Sequence, residues 1–335
     1  MENSVTDLSH KMHIPVSYHQ DVLGKGFESA PIRMNDDYEG SVITTIIRKQ
    51  PSYPSGRAVL YVHGFNDYFF QAEMATRYNE AGFTFYAVDL RKYGRSYQKH
   101  QKFNNVRDLS EYYQDIDTAL AIIKQENNDE VLLSGHSTGG LIITLYAADK
   151  KDSDLFDALF LNSPFFEFNL PFIEKIAIPL AAKLGTILPN KLIGGGFSKL
   201  YGQSLHKSEY GEWTYDLQLK PHKAPDVNLG WIRAIYNGHK RIKKGVHIDK
   251  PVLLMMSQAS VFEKKWSKRM YTGDAILNVD NIQRAAKGIK GEITIFTIKD
   301  GMHDLILSPK EVREEVYRKL FMWLQEKFID RKNVG

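Results

Sequence analysis

No cysteine occurs among the 335 residues, which excludes disulfides, thiolate metal sites and thiol nucleophiles together. A dominant charge is missing too. The 44 basic and 40 acidic residues leave a net charge of +4, too balanced for a nucleic-acid partner to be expected from charge. Only Lys240 to Lys244 and Lys264 to Arg269 concentrate basic residues. Such runs read first as solvated faces and second as a docking surface for an anionic membrane or substrate. There is also no long uninterrupted apolar run. The most apolar window, "LPFIEKIAIPLAAKLGTILP" (170–189), holds Glu174, Lys175, Lys183 and an internal Pro179, so neither a transmembrane helix nor stable membrane insertion is expected. The opening "MENSVTDLSHKMHIPV" has no basic start followed by an apolar stretch. No signal peptide is read there, and a cytoplasmic location is the expectation.

What is present is an ordinary globular composition, 43% hydrophobic and 25% charged, able to bury a large core. A chain of this length suits one sheet core with an insertion. From residue 58, short apolar runs alternate with longer helix-like segments, the rhythm of a parallel sheet with crossover helices. The strand segments are "AVLYVHGF" (58–65), "FTFYAVDL" (83–90), "EVLLSGHS" (130–137), "ALFLNSPF" (158–165), "PVLLMMSQ" (251–258) and "EITIFTI" (292–298). Before them, "FESAPIRM" and "SVITTIIRKQ" flank the turn-rich "NDDYEG" and read as an antiparallel start, for roughly eight strands. Helices are expected near 70–81, 108–126, 138–150, 280–289 and 309–329. The last opens with Ser308, Pro309 and Glu311, the spacing of a capping box.

The alternation breaks at 166–235, a stretch containing Pro179, the loop "IGGGF" (193–197) and many aromatics. It is too long for a connection and lacks the strand rhythm. The expected organisation is a core of residues 1–165 and 236–335 with a mostly helical cap insertion at 166–235.

The chemistry starts at "GHSTG" (135–139), a G-x-S-x-G pattern placed between a strand and a helix. That context lifts a serine hydroxyl off the carboxyl edge of a sheet. Gly135 and Gly139 would remove side chains that collide at so sharp a turn, and Gly140 adds room. A phosphate-cradling turn is the bland alternative, but no P-loop lysine follows and the G-x-G-x-x-G spacing is absent. Ser137 as nucleophile needs a base. His303, in "IKDGMHDLILS", lies between the last strand and the last helix, at the same sheet edge.

With these residues in place the chain resembles the α/β-hydrolase family, in its monoacylglycerol lipase, lysophospholipase and serine aminopeptidase branch. The matches are "HGF" (63–65) after a strand, "DLRKYGRS" (89–96), "GHSTGG" (135–140) and the G-x-H element at 301–303. The resemblance implies an α/β fold: a mostly parallel eight-stranded sheet with helices on both faces and a helical cap. It also implies an oxyanion hole from the backbone N–H groups of Phe65 and Thr138, each worth on the order of 3 kcal/mol. His63, and Asp89 with Arg91, are expected to tie loops beside the site. Family members usually carry the acid a few residues after "PVLLMMSQ", where this chain has Ser260. Asp274, after Gly273 and before Ile276 and Leu277, takes that role in this reading. Asp280, three residues before Gln283, reads better as a helix cap, and Glu263 is the third candidate.

The expected activity is hydrolysis of a small-molecule carboxylic ester through an acyl-enzyme on Ser137, without metal or organic cofactor. Phe165, Phe166, Trp213, Tyr215 and Trp231 are candidate lining residues in and beside the cap. One alternative is an aminopeptidase, which needs an acidic pocket for the substrate amine, with Glu209, Glu212 and Asp216 the scattered acids available. Another is a binding module on the hydrolase scaffold without turnover.

Overall fold

Strands that are apolar on both faces require a layer on each side, and the chain supplies both. The computed structural model describes residues 13–194 and 199–329. Residues 1–12 of the opening segment and Gly195 to Phe197 of the "IGGGF" loop lie outside the described residues. In chain order the elements are β1 (His19–Gln20), β2 (Phe27–Arg33), β3 (Ile43–Lys49), β4 (Arg57–Val62), α1 (Ala72–Glu80), β5 (Phe83–Asp89), α2 (Tyr113–Gln125), β6 (Glu130–His136), α3 (Thr138–Asp149) and β7 (Ala158–Asn162). There follow α4 (Phe172–Ile187), β8 (Leu192–Ile193), α5 (Lys199–Leu205), β9 (Val227–Asn228), α6 (Leu229–Lys244), β10 (Val246–Ser257), α7 (Val279–Ala286), β11 (Ile289–Ile298) and α8 (Lys310–Leu324).

Nine strands form the main sheet in the order β1-β2-β3-β5-β4-β6-β7-β10-β11. Pairings from β1 through β3 to β5 are antiparallel, and those from β5 onward are parallel. Eight of the nine match the runs read from sequence. The ninth, β1, has two residues, too few to show any alternation. Along β4, Ala58, Leu60 and Val62 join the apolar layer under α2, α3, α6 and α7, whereas Val59 and Tyr61 join the layer under α1 and α8. This is the two-residue period of a pleated strand buried on both faces.

Residues 166–235 contain α4, α5, the two-stranded ribbon β8–β9 and the first turns of α6. Helix α6 continues across residue 235 and packs against α4 on one side and α3 on the other. Among the described residues no helix is long and apolar enough to cross a membrane.

Two helix starts differ from the sequence reading. Pro309 occupies the cap position of α8 in an extended conformation, and no side chain caps the helix there. The Ser308 hydroxyl instead accepts the Met302 N–H at 2.9 Å, so the expected capping box gives way to a bond that ties the loop carrying His303. At α7 the cap is Asn278, whose side chain accepts the N–H groups of Asp280 and Asn281. Asp280 is therefore a first-turn residue, where its charge favours the helix dipole.

Candidate active site

Ser137 sits between β6 and α3 with φ 52° and ψ −114°, a left-handed conformation that costs a non-glycine residue about 1–3 kcal/mol. The surrounding packing enforces it. A Cβ on Gly135 would lie 2.8 Å from the Gly139 backbone, and one on Gly139 would lie 2.3 Å from the Val62 carbonyl oxygen. Only glycine permits the strand, the turn and α3 to approach this closely. The turn is also clamped from outside: Ser137 N–H donates to Asn162 O at 3.0 Å, and Phe165 N–H donates to Ser137 O at 2.9 Å. The serine side chain makes no helix-capping bond and faces His303.

His303 lies in the loop between β11 and α8. Its Nδ1 is 2.9 Å from Asp274 Oδ2 and its Nε2 is 3.0 Å from Ser137 Oγ. The carboxylate can only accept, so Nδ1 carries the proton and Nε2 is left to receive the serine hydroxyl hydrogen. Ser137, His303 and Asp274 are all buried. The His303 loop is held by the Ser308 hydroxyl and by Asp304, whose N–H donates to Tyr201 Oη at 2.9 Å and whose Oδ1 accepts Asn162 Nδ2 at 2.7 Å. The His136 ring is 4.8 Å from that of His303. Burial pushes His136 down to about 4, so at neutral pH it places no second cation beside the imidazole.

Asp274 reaches His303 because its loop folds back. Asp274 N–H donates to Ala259 O at 2.9 Å and Val261 N–H donates to Asp274 O at 2.8 Å, bridging Asp274 to Ser260. Ser260 occupies the sequence position where the acid is usual, and the acid from residue 274 lies alongside it. The Ser260 hydroxyl donates to Leu277 O at 3.0 Å and accepts Val279 N–H at 2.9 Å, bracing the segment that presents the carboxylate. Asp274 Oδ1 accepts Ile276 and Leu277 N–H at 2.8 and 2.7 Å. The competing acids lie elsewhere: Asp280 is exposed on α7, and Glu263 pairs with Arg269 at 3.0 Å.

The "HGF" loop passes against the serine, since a Cβ on Gly64 would lie 3.2 Å from Ser137 Cβ. His63 fixes this loop: Nδ1–H donates to Gly64 O at 2.7 Å, and Nε2 accepts Leu90 N–H at 3.1 Å. Asp89 accepts Phe69 N–H at 2.8 Å and Arg95 Nη1 at 2.9 Å. Its cationic partner is Arg95, while Arg91 pairs with the buried Asp115 of α2 at 2.7 Å. Thr138 opens α3, and Phe65 and Ser137 line one small cavity of about 40 Å³.

That small cavity has a polar side formed by Asn66, Asp67, Lys220 and His222. Lys220 Nζ lies 2.7 Å from Asp67 Oδ1, with the rings of Phe70 and Tyr215 beside it. Through Phe65 and Ile276 it adjoins a larger, mostly apolar cavity of about 370 Å³. Of the expected lining residues, Phe165 and Trp231 line the large cavity and Tyr215 the small one. Phe166 faces a different groove. Trp213 lines none of these: its Nε1 donates to Leu307 O at 2.9 Å and its ring packs under Arg313. Tyr201 and the Lys220–Asp67 pair went unread in the sequence. Asp67 stands two residues beyond Phe65, but its partner is 153 residues away and no local pattern announces it. Among the described residues no three side chains of histidine or acidic type are grouped to hold a metal ion.

The model of the family described as serine aminopeptidase, S33, matches residues 54–309. The chain belongs to this family. Over 138 residues this S33 member is 30% identical to a monoacylglycerol lipase of Mycolicibacterium smegmatis (strain ATCC 700084 / mc(2)155), a match covering 41% of this chain and 47% of the relative. It thus spans about half the length of that curated relative. A soluble variant of the monoglyceride lipase of Saccharomyces cerevisiae, solved with a substrate analogue, superimposes with a TM-score of 0.62 at 16% identity, over 89% of this chain and 96% of that one. The monoacylglycerol lipase of Paleococcus ferrophilus does so with a TM-score of 0.59 at 21% identity, over 84% and 99%. These likenesses show the α/β-hydrolase fold.

Proposed function

We propose that this S33 member is a serine hydrolase that cleaves carboxylic esters through an acyl-enzyme on Ser137. The observation that carries the reading is the unbroken relay from Asp274 through His303 to Ser137, ending beside an apolar cavity. In this mechanism Ser137 Oγ attacks the ester carbonyl while His303 Nε2 takes the hydroxyl proton, and Asp274 stabilises the imidazolium that forms. The carbonyl oxygen, now negative, accepts N–H bonds from Phe65 and Thr138. Collapse of the tetrahedral intermediate breaks the bond to the alcohol oxygen, which leaves with the proton from Nε2. Water, deprotonated by the same nitrogen, then attacks the acyl-enzyme, and the acid departs as Ser137 recovers its hydrogen.

The acyl chain would occupy the 370 Å³ cavity, walled by Phe165, Trp231 and Ile232, and the alcohol the polar cavity at Asn66 and Lys220. Residues 166–235 act as the cap in this reading, because both cavities draw part of their lining from them. The names of the relatives fit substrates such as monoacylglycerols and other single-chain esters. An aminopeptidase reading has less support. Glu209 and Asp216 are exposed, Glu212 pairs with Arg313, and the carboxylate beside Ser137, Asp67, is already neutralised by Lys220.

The test is hydrolysis of 4-nitrophenyl butyrate and of amino-acid nitroanilides by wild type and Ser137→Ala. Ester turnover is expected to exceed amide turnover and to fall by a factor on the order of 10⁴ or more in the variant. Retention of most ester activity would overturn the assignment, and faster amide turnover would favour the peptidase.

A further inference from the structure

A second groove, of about 540 Å³, lies between the first turns of α4, the last turns of α6 and α7. Its size is ordinary for a small-molecule site, about 300–1,000 Å³. Phe166, Phe168 and Ile178 give it an apolar floor. Four cations, Lys175, Lys240, Lys243 and Arg284, stand around one carboxylate, Glu167. Glu167 is engaged with Lys175 at 2.6 Å and Arg284 at 3.8 Å. Among the described residues Lys240 and Lys243 have no carboxylate partner. They belong to the "KRIKK" run that stood out in the sequence, and Lys240 leans toward the Tyr236 ring on the groove side, 5.5 Å from its centroid.

An apolar floor under uncompensated positive charge selects an occupant with a hydrocarbon tail and an anionic head. Phe168 and Ile178 also line the 370 Å³ cavity, so the groove lies one side chain's thickness from the proposed acyl site. We propose that this groove is a second ligand site, separate from Ser137, that binds a long-chain carboxylate. The choice of a carboxylate among anionic amphiphiles rests on the ester-cleavage reading, which makes such an acid next door. Lys240 and Lys243 hold the head group, and Phe166, Phe168 and Ile178 hold the tail.

The experiment measures laurate binding below its critical micelle concentration to the full chain carrying Ser137→Ala, so that binding is read without turnover. Saturable binding is expected that weakens with added salt, since exposed charge pairs are screened, and that weakens at least tenfold in Lys240→Glu/Lys243→Glu. The same double variant on a wild-type Ser137 background should keep its 4-nitrophenyl butyrate activity within twofold, which checks its fold. Laurate affinity within twofold of the parent after charge reversal would overturn the proposal. So would charge-sensitive binding to phosphatidylglycerol vesicles without laurate binding, because the lysines would then serve a lipid surface. A third arm labels wild type with a dodecyl phosphonofluoridate, filling the acyl cavity. Labelled protein should still bind laurate, and loss of binding would place laurate in the acyl cavity and sink the second site. Failure to label would count against Ser137 as nucleophile while leaving the charge-reversal result standing.

Discussion

The two oxygens of Asp274 face different partners, one the His303 ring and the other the N–H groups of Ile276 and Leu277. An asparagine there either sets its amide hydrogens against the two backbone N–H donors or presents them to Nδ1, and the second arrangement favours the wrong imidazole tautomer. Asp274→Asn is expected to lower kcat for ester hydrolysis by a factor on the order of 10⁴. Asp280→Asn, on the exposed start of α7, should stay within about twofold. Equal losses in the two variants would contradict the geometry. Gly139 poses a simpler problem. A methyl group 2.3 Å from Val62 O cannot be accommodated unless α3 moves, so Gly139→Ala should destabilise by about 2–3 kcal/mol or more, read as a lower urea midpoint.

Elements explain which parts of the fold were legible. The inner strands β4, β5, β6, β7 and β10 could be read because burial on both faces writes itself as continuous apolar runs, and Ser137 because two glycines must flank so tight a turn. Ser308 shows the opposite case. Its spacing to Glu311 satisfied a local rule, but its hydroxyl went to Met302 N–H across the loop, a competition that only tertiary structure decides. Asp280 gave way to Asn278 at α7 for a smaller reason, a helix starting two residues earlier than the spacing implied. Asp274 was reached through family resemblance, because the bridge that carries it back beside Ser260 leaves no periodic trace. The Ser308 bond is testable. Ser308→Ala leaves a buried N–H unpaired and should cost about 1–3 kcal/mol, and it should lower kcat as the His303 loop loosens. A pure capping role would leave kcat unchanged. Trp231, on α6, packs its ring 4.7 Å from that of Phe65. Trp231→Ala should shift preference among 4-nitrophenyl esters toward longer or bulkier acyl groups, and an unchanged chain-length profile would remove the 370 Å³ cavity from the acyl path.

At the scale of the whole molecule, pH acts through two buried histidines. Burial pushes His136 down to about 4 and His239 down to about 3, from an ordinary value of 6.5. Between pH 6.5 and 4 the unfolded chain takes up protons that the folded chain refuses, so stability present above pH 6.5 is lost as pH falls through that window, roughly 3 kcal/mol per histidine. Urea midpoints should therefore drop steeply from pH 7 to pH 4. His239 donates through Nε2 to the Phe165 carbonyl at 2.9 Å. His239→Gln offers a non-titrating donor, and its midpoint should fall less over the same range. An unchanged slope would show that His239 is not the source.

The excursion between Ser260 and Asp274 does more than move a carboxylate along the sequence. Its Trp266 stacks on Tyr210 with ring centroids 3.8 Å apart and donates to Ser204 Oγ at 3.2 Å, while Tyr271 Oη bonds Tyr210 O. One length of chain therefore fastens residues 204 to 210 at its outward bend and delivers Asp274 to His303 at its return. Tyr210 is thereby tied to the strip of backbone that aims Asp274. The anchorage of residues 204 to 210 and the aim of Asp274 at His303 thus share one strip of backbone.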